Sequence, residues 1–306
     1  TPINNQPITI NVKGSPPWQP RNYDRKYSGS VMLMDALVRS LNIPTVNIGM
    51  KLGLTKVISV QQAMGWDKVT IPKVPSMLLG SYAISPYDVT KLYQTIANEG
   101  ASIPLNTINS VVDRQGNVVY SREFEPKQVV PREAAFQTLF AMQQVVDRGT
   151  AHSLQPDYAH LHLAGKTGTT NDARDTWFVG IDGENVTTIW LGRDDNGETK
   201  LTGASGALQV YKEYLKRATT RPLKLHKPED IKWVGINAYG GWDCSSARTI
   251  PVWADRNQSF CQQTEYAPTI PSANAVETNN APKQESVWDV LNEGNSAPVE
   301  DPRPEN

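Results

Sequence analysis

The chain has 306 residues, and its 30 lysines and arginines nearly balance its 31 aspartates and glutamates, which leaves a formal net charge of -1. This balance excludes the strongly basic character by which proteins bind nucleic acid or anionic membranes through charge alone. Hydrophobic residues make up 39% of the chain, enough for one substantial core. No apolar run reaches about 18 residues, so no membrane-spanning helix is predicted.

The N-terminal part of the sequence predicts a short strand followed by helices. The run "ITINV" at residues 8–12 is typical of a strand. Apolar residues at helical spacing predict a helix from Gly29 to Leu41. Pro44 ends that helix and suits the first position of the next one. A further helix is predicted for "TKVISVQQAMG", with Thr55 as its N-cap.

The middle of the chain carries stronger local signals. In "SPYDVTKLYQTIANEG", Ser85 is the predicted N-cap, Pro86 the first helical residue and Gly100 the stop signal. "TINSVVDRQGNVVYS" predicts a hairpin that turns around residues 116–117. "PREAAFQTLFAMQQVVDRG" predicts a long helix over residues 131–147.

Three strand-like runs come next, namely "LHLAGKTG", "TWFVGID" and "NVTTIWLGR". Short polar turns separate them, which predicts an antiparallel meander. "SGALQVYKEYLKRA" then returns to helix. Helices, consecutive strands and a last helix together predict an α+β fold, with an antiparallel sheet flanked by helices.

Composition divides the chain into a main domain at residues 1–224, a small appendage at residues 225–265 and a tail at residues 266–306. The tail is rich in Pro, Asn, Ser and Glu, and we expect it to be disordered. The appendage holds Cys244 and Cys261. A disulfide between them would contribute about 3 kcal/mol and would indicate an oxidising compartment. Two separate thiols fit the spacing equally well.

The first strand of the meander concentrates chemically active groups at Lys166, Thr167, Gly168 and Thr169. Strand alternation turns Lys166 and Gly168 to one face and the two threonines to the other, unless the strand twists at its end. Gly168 lets another group lie close to the backbone, and an edge strand can pair with an extended peptide. The ammonium and hydroxyls suit an anion. We therefore predict a cradle for a peptide that ends in a free carboxylate, against the plainer alternative of exposed polar residues near a hairpin end.

The Lys-Thr-Gly sequence at residues 166–168 resembles the third motif of the serine penicillin-binding proteins and β-lactamases. The second motif of that family, Ser-x-Asn, occurs at residues 40–42, where one predicted helix ends and the next begins. Another Ser-x-Asn at residues 272–274 lies in the polar tail, after the third motif, and is set aside. Only the first match has the order and context of the family.

Longer stretches extend the resemblance: "RSLNIPTVNIGMKLG", "MQQVVDRGTAHSL", "LHLAGKTGTTNDARDTWFVGIDG" and "GASGALQVYKEYL". They resemble the transpeptidase domain of the class A penicillin-binding proteins of the 1B type, over most of residues 20–262. The resemblance implies the penicillin-binding transpeptidase fold. It also implies a D,D-transpeptidase that cross-links peptidoglycan stem peptides and is acylated by β-lactam antibiotics.

The resemblance assigns roles to six residues. Ser40 would pass a proton to the leaving nitrogen, and Lys166 would set the electrostatic field of the site and help to hold the substrate carboxylate. The backbone N–H of Thr169 would be one oxyanion-hole donor. The substrate-binding residues would be Asn42, Thr167, Gly168 and Thr169.

The family's first motif, Ser-x-x-Lys, carries the nucleophilic serine, yet no serine of this chain has a lysine three residues later. We therefore expect a fragment that starts after its own nucleophile and is inactive alone. A complementary N-terminal polypeptide would supply the Ser/Lys pair. In complete relatives, that part also carries a glycosyltransferase domain and an anchor at the periplasmic face of the bacterial inner membrane.

Two other functions compete with this interpretation. A serine β-lactamase shares the fold and motifs, but needs a positioned acid for deacylation, and the sequence offers no candidate for one. Alternatively, without its nucleophile the chain could be a module that only binds peptides or partner proteins. We expect no cofactor, no metal and no nucleic acid. Periplasmic regulators and a homodimer stay open as partners.

Overall fold

The computed structural model describes residues 1–12, 14–237, 240–254, 258 and 260. Its α-helices are α1 (Leu33–Val38), α2 (Asn42–Leu52), α3 (Leu54–Gln61), α4 (Pro86–Ala97), α5 (Arg132–Arg148), α6 (Gln155–Tyr158) and α7 (Ala207–Leu215). Its strands are β1 (Pro2–Asn4), β2 (Ser30–Met32), β3 (Ala101–Ser102), β4 (Ser110–Val112), β5 (Val118–Ser121), β6 (Lys127–Gln128), β7 (Ala164–Thr169), β8 (Thr176–Ile181), β9 (Val186–Leu191), β10 (Ile231–Gly235) and β11 (Thr249–Trp253). The predicted disordered tail at residues 266–306 lies outside the described residues.

The predicted antiparallel meander is confirmed. Strands β7, β8 and β9 form one sheet in that order, and every residue of β7 has a partner in β8. The central strand is the most buried, with Phe178 and Ile181 on opposite sides of the sheet. Phe178 packs into a cluster formed with α5 and α7, and Ile181 into one formed with α4 and α5. Helices therefore flank the sheet, and the α+β fold is confirmed.

Local end signals account for the predicted middle elements. The Ser85 hydroxyl accepts a hydrogen bond from the Asp88 N–H at 3.1 Å, and Pro86 is the first residue of α4. Such a cap satisfies a backbone donor that the helix itself leaves unpaired. Helix α5 and the β4–β5 hairpin also lie where predicted. These segments were predictable because their end signals are local in sequence.

The predicted N-terminal elements need correction. The helix expected from Gly29 begins only at Leu33, because residues 30–32 pair with β1 as strand β2. This strand pairing satisfies backbone groups by long-range contacts that helical periodicity does not report. In "ITINV" only Ile10 forms a bridge, to Trp18.

The next two helices, by contrast, begin earlier in the sequence than predicted. Helix α2 starts at Asn42, two residues before Pro44. Thr55 lies inside α3, and the N-cap is Gly53, whose φ of 87° suits glycine. Gly53 is the single residue between α2 and α3, and its positive φ allows the chain to turn there. The predicted N-cap at Thr55 is therefore wrong.

The C-terminal described residues form a β10–β11 hairpin that packs on α5. The Trp233 ring lies edge-on to Phe140, with 5.1 Å between ring centroids. Cys244 is disulfide-bonded, whereas Cys261 lies outside the described residues. The predicted domain boundaries stay a prediction. Within the described part of the chain, no helix is both long and apolar enough to cross a membrane, and no cluster of three or more His, Cys, Asp or Glu could hold a metal ion.

Candidate active site

Lys166 lies on β7 and points its ammonium at helix α1. Its Nζ donates to the Ser40 hydroxyl oxygen at 2.6 Å and to the backbone carbonyl of Thr167 at 2.9 Å. Both acceptors are uncharged, so no anion among them compensates for the loss of solvent. Burial accordingly lowers the pKa of the Lys166 ammonium from 10.5 to about 8. The structure thus brings together two predicted site residues that are 126 positions apart.

Ser40 sits in a strained turn that ends α1. Its N–H donates to the Leu37 carbonyl and the Leu41 N–H donates to the Ala36 carbonyl, the two bonds of a Schellman motif. The motif requires a left-handed residue at Ser40, and its φ is 55°. Glycine is the usual residue there because a side chain costs free energy in this region. Seven other non-glycine residues of the described chain also have a positive φ, so this conformation does not by itself mark a functional residue.

Gly149, just after α5, lets the end of α1 approach closely. A Cβ at Gly149 would lie 2.5 Å from the Val38 carbonyl oxygen and 2.9 Å from the Val145 Cα. The next residue, Thr150, shares a 2.6 Å hydrogen bond between its hydroxyl and that of Thr167. The α5 end is therefore the point where α1 and β7 meet, and it fixes the distance between Ser40 and Lys166.

Asn42 begins α2 and is oriented by the segment before α1. Its Nδ2 donates to the Arg21 carbonyl at 2.7 Å, so its amide does not belong to the Ser40–Lys166 hydrogen bond. The buried Asn22 caps α2 from a distance, because its Oδ1 accepts from the N–H groups of Asn42 and Ile43 at 3.0 and 3.1 Å. A side chain outside the helix thus fixes the position of Asn42.

Gly168 and Thr169 lie under the loop before α7. The Gly203 N–H donates to the Thr169 hydroxyl at 2.9 Å, and a Cβ at Gly203 would lie 2.6 Å from the Gly168 carbonyl oxygen. The group that lies close to Gly168 is therefore this chain's own loop. Among the described strands β7 pairs only with β8, so an extended ligand would approach the other edge of β7.

Three residues that contact the predicted site residues were missed from sequence: Asn22, Thr150 and Gly203. Thr150 directly follows a long helix and a glycine, and this is the one local signal among them. Asn22 and Gly203 act across 20 and 34 positions. A single sequence contains no local pattern that reports such contacts.

The arrangement can move a proton. Ser40 accepts a hydrogen bond from the Lys166 ammonium, so its own hydroxyl proton is free to be donated elsewhere. With a pKa near 8 the ammonium is charged at neutral pH but gives up a proton more readily than an exposed lysine. Ser40 can therefore donate one proton and take its replacement from Lys166.

The chain is similar to known proteins both in its family domains and in individual relatives. The family model "Penicillin binding protein transpeptidase domain" matches residues 3–208, and "Penicillin-binding protein 1B, C-terminal domain" matches residues 230–265. The chain is 70% identical to penicillin-binding protein 1B of Haemophilus influenzae, over 96% of this chain and 37% of that protein. It is 46% identical to penicillin-binding protein 1B of Escherichia coli K12, over 92% of this chain and 34% of that protein. The chain thus spans about a third of these relatives.

Solved structures share the fold. Penicillin-binding protein 1A of Haemophilus influenzae superposes with a TM-score of 0.74 at 21% identity, over 83% of this chain and 44% of that one. PonA1 of Mycobacterium tuberculosis, solved in complex with penicillin V, gives a TM-score of 0.61 at 22% identity, over 74% of this chain and 66% of that one. The family models and relatives agree with this likeness of fold. The chain belongs to the penicillin-binding protein transpeptidase family and, within it, to the 1B type.

Proposed function

We propose that the chain is part of a serine-type peptidoglycan D,D-transpeptidase and that Ser40 and Lys166 act together in its reaction. The observation that carries this proposal is the 2.6 Å hydrogen bond between the Lys166 ammonium and the Ser40 hydroxyl. In the reaction, a serine oxygen attacks the carbonyl of the penultimate D-alanine of a stem peptide. The C–N bond breaks, the terminal D-alanine leaves with a proton, and the amine of a second stem peptide then accepts the acyl group.

Ser40 supplies the proton that the leaving nitrogen needs. Its hydroxyl donates that proton while it takes another from Lys166, so the serine passes charge without holding it. General-acid assistance of this kind contributes about 10²–10⁴-fold in rate. The left-handed turn after α1 supports this role because it places the hydroxyl 2.6 Å from the Lys166 ammonium.

Lys166, Thr167 and Thr169 would hold the terminal carboxylate of the substrate. The buried ammonium would attract the anion, because charges interact more strongly where water is partly excluded. Thr169 accepts from the Gly203 N–H and keeps its own hydroxyl proton for an anion. An extended substrate would pair with the edge of β7 that β8 leaves unpaired, and Asn42 would bind the amide backbone of the substrate from the start of α2.

The nucleophilic serine of this reaction belongs to a Ser-x-x-Lys sequence, which does not occur among the 306 residues. Because these residues span only 37% of the first 1B relative, we propose that a segment outside them supplies the serine and that the 306 residues without that segment form no acyl-enzyme. By analogy with the 1B relatives, the whole protein would also be a glycosyltransferase, anchored at the periplasmic face of the inner membrane. β-Lactams would acylate the same serine that the stem peptide acylates.

The experiment combines this chain with a separately expressed polypeptide that carries the Ser-x-x-Lys segment of a 1B relative, and adds a fluorescent penicillin. We expect a covalent adduct on the complementary polypeptide that persists for hours. Lys166→Ala should slow its formation by about 10²–10³-fold, as expected for the loss of a site's electrostatic donor. Lys224→Ala, at an exposed lysine, is the matched control and should leave the rate unchanged.

Each other outcome identifies a different function. Rapid release of hydrolysed penicillin would indicate a β-lactamase. A chain that folds, binds stem peptide and never supports acylation would indicate a binding module. Equal acylation rates for the wild type, Lys166→Ala and Ser40→Ala would contradict the roles proposed for these two residues.

A further inference from the structure

Asp35, in the first turn of α1, binds two arginines from distant parts of the chain. Arg248 Nη2 donates to its two carboxylate oxygens at 2.8 and 2.9 Å, and Arg148 Nη2 donates to one of them at 2.7 Å. Burial by itself would raise the pKa of the Asp35 carboxyl, but the two guanidinium groups outweigh burial and the net pKa is lowered. We call these three residues the Asp35 cluster.

Arg248 is held firmly by the β10–β11 hairpin. Its N–H donates to the Ser246 hydroxyl at 3.1 Å and its carbonyl accepts from the Ile236 N–H at 2.9 Å. The hairpin in turn is fixed to α5 through the Trp233 ring contacts and through a 3.1 Å hydrogen bond from Gln137 to the Pro251 carbonyl. The guanidinium is therefore presented to α1 by a docked element.

Apolar contacts join the same two elements beside the Asp35 cluster. Met32, Ile236 and Ile250 form a buried cluster, and the partly buried Met34 packs against it. Met32 and Met34 lie on either side of the first residue of α1. The start of the helix is thus attached to the hairpin by both apolar packing and charge, and these contacts reinforce each other because both act within one turn of α1.

Helix α1 depends on such contacts for its direction. It has six residues and no side-chain N-cap, and a helix this short is unstable in isolation. Ser40 follows Asp35 by five positions and places its hydroxyl 2.6 Å from the Lys166 ammonium. Any rotation of α1 about its first turn would therefore move the Ser40 hydroxyl relative to the Lys166 ammonium.

We propose that the β10–β11 hairpin positions the Ser40 hydroxyl against Lys166 through the carboxylate of Asp35. This inference rests on the proposed function only because that function gives Ser40 its role as a proton donor. Asp35 and Arg248 are positioning residues, since neither touches the Ser40–Lys166 hydrogen bond. The C-terminal hairpin is then part of the machinery of the site, although it lies at the other end of the sequence.

The test replaces Arg248 by Gln and measures the chain without any catalytic assay. Hydrogen exchange of the Ser40 and Leu41 amides reports the turn that ends α1. Acetylation of the Lys166 amine by acetic anhydride, resolved by peptide mass spectrometry, reports its access to solvent. We expect both amides to exchange about tenfold faster and Lys166 to be acetylated faster. Arg248→Lys, which keeps the charge, should restore part of the protection.

A matched control is Arg221→Gln, which removes an arginine–carboxylate pair of 2.8 Å with Glu184, in the turn between β8 and β9. It should leave the Ser40 and Leu41 amides as in the wild type. The proposal is overturned if Arg248→Gln leaves these amides and Lys166 unchanged, or if the core amide of Phe178 exchanges faster by the same factor. Because no penicillin is used, failure here is distinct from failure of the proposed transpeptidase, which the acylation experiment tests.

Discussion

Lys166 and Ser40 meet in one hydrogen bond, but the fold holds them in different ways. Lys166 lies on a strand that is paired along its whole length with the central strand of the sheet. Ser40 lies in a left-handed turn after a six-residue helix. The position of Lys166 follows from strand register, whereas that of Ser40 follows from contacts with residues far away in sequence. Distant substitutions should therefore disturb the Ser40 side first.

The largest expected effect comes from a substitution at Gly149, which would displace the end of α1 and with it Ser40. Gly149→Ala would place a Cβ 2.5 Å from the Val38 carbonyl oxygen, and the α1 end would have to move. The φ of Gly149 is -111°, outside the left-handed region that favours glycine, so the expected cost comes from lack of space. We expect the free energy of unfolding to fall by about 3 kcal/mol, at the upper end of overpacking effects, as measured by urea denaturation.

Gly197→Ala is the control for crowding, because its close neighbours are the exposed side chains of Arg193 and Asp195, which can move. It should change the free energy of unfolding by less than about 0.5 kcal/mol. If Gly149→Ala were equally mild, the close approach of α1 to α5 would not determine where Ser40 lies.

The lowered pKa of Lys166 is tested by the pH dependence of the free energy of unfolding. The pKa of Lys166 is 10.5 in the unfolded chain, and burial lowers this pKa to about 8 in the folded chain. Between these values the unfolded state binds more protons, so this lysine's contribution to stability rises with pH and is lowest below about pH 8. Relative to Lys166→Met, the wild type should gain about 2 kcal/mol from pH 7 to about pH 9.5. Urea denaturation at both pH values measures this gain.

Comparison with the methionine variant removes the contributions of all other titrating groups, because they are common to both proteins. A stability difference that stays constant with pH would mean that the Lys166 pKa is not lowered by burial.

The smallest expected effect sharpens the description of the turn. Ser40→Gly and Ser40→Ala both remove the hydroxyl, but only glycine adopts a φ of 55° without strain. We expect the glycine variant to be more stable than the alanine variant by about 1 kcal/mol. At Ser59, inside α3, the same pair of substitutions should give the opposite sign, since alanine favours a helix. Equal stabilities of the two Ser40 variants would argue against a strained turn.

The same contrast explains what could be predicted from sequence. The β7–β9 meander and helices α4, α5 and α7 were predicted because periodicity, caps and stops act over a few residues. Strand β2 was missed because its partner β1 lies roughly 26 to 30 positions earlier, from the pair Asn4–Ser30 to the pair Pro2–Met32. The closeness of Ser40 and Lys166 was expected only from the family resemblance.

The supporting residues of the site could not be predicted, for a related reason. Asn22 looks like an ordinary polar residue in a loop, and its capping role exists only because the fold brings the start of α2 to it. Thr150 becomes relevant only through its 2.6 Å contact with Thr167. Asp35 and Arg248 are common charged residues until the hairpin meets α1. Residues that support a site therefore become visible only in three dimensions.

The distance in sequence between Asp35 and Arg248 also has a consequence for biosynthesis. The two residues are 213 positions apart, and translation proceeds at about 5–20 residues per second. Asp35 therefore leaves the ribosome roughly ten to forty seconds before the arginine that binds both of its oxygens. During that interval the nascent chain can form most of its sheet, but the contact between Arg248 and Asp35 has to wait until the β10–β11 hairpin is made.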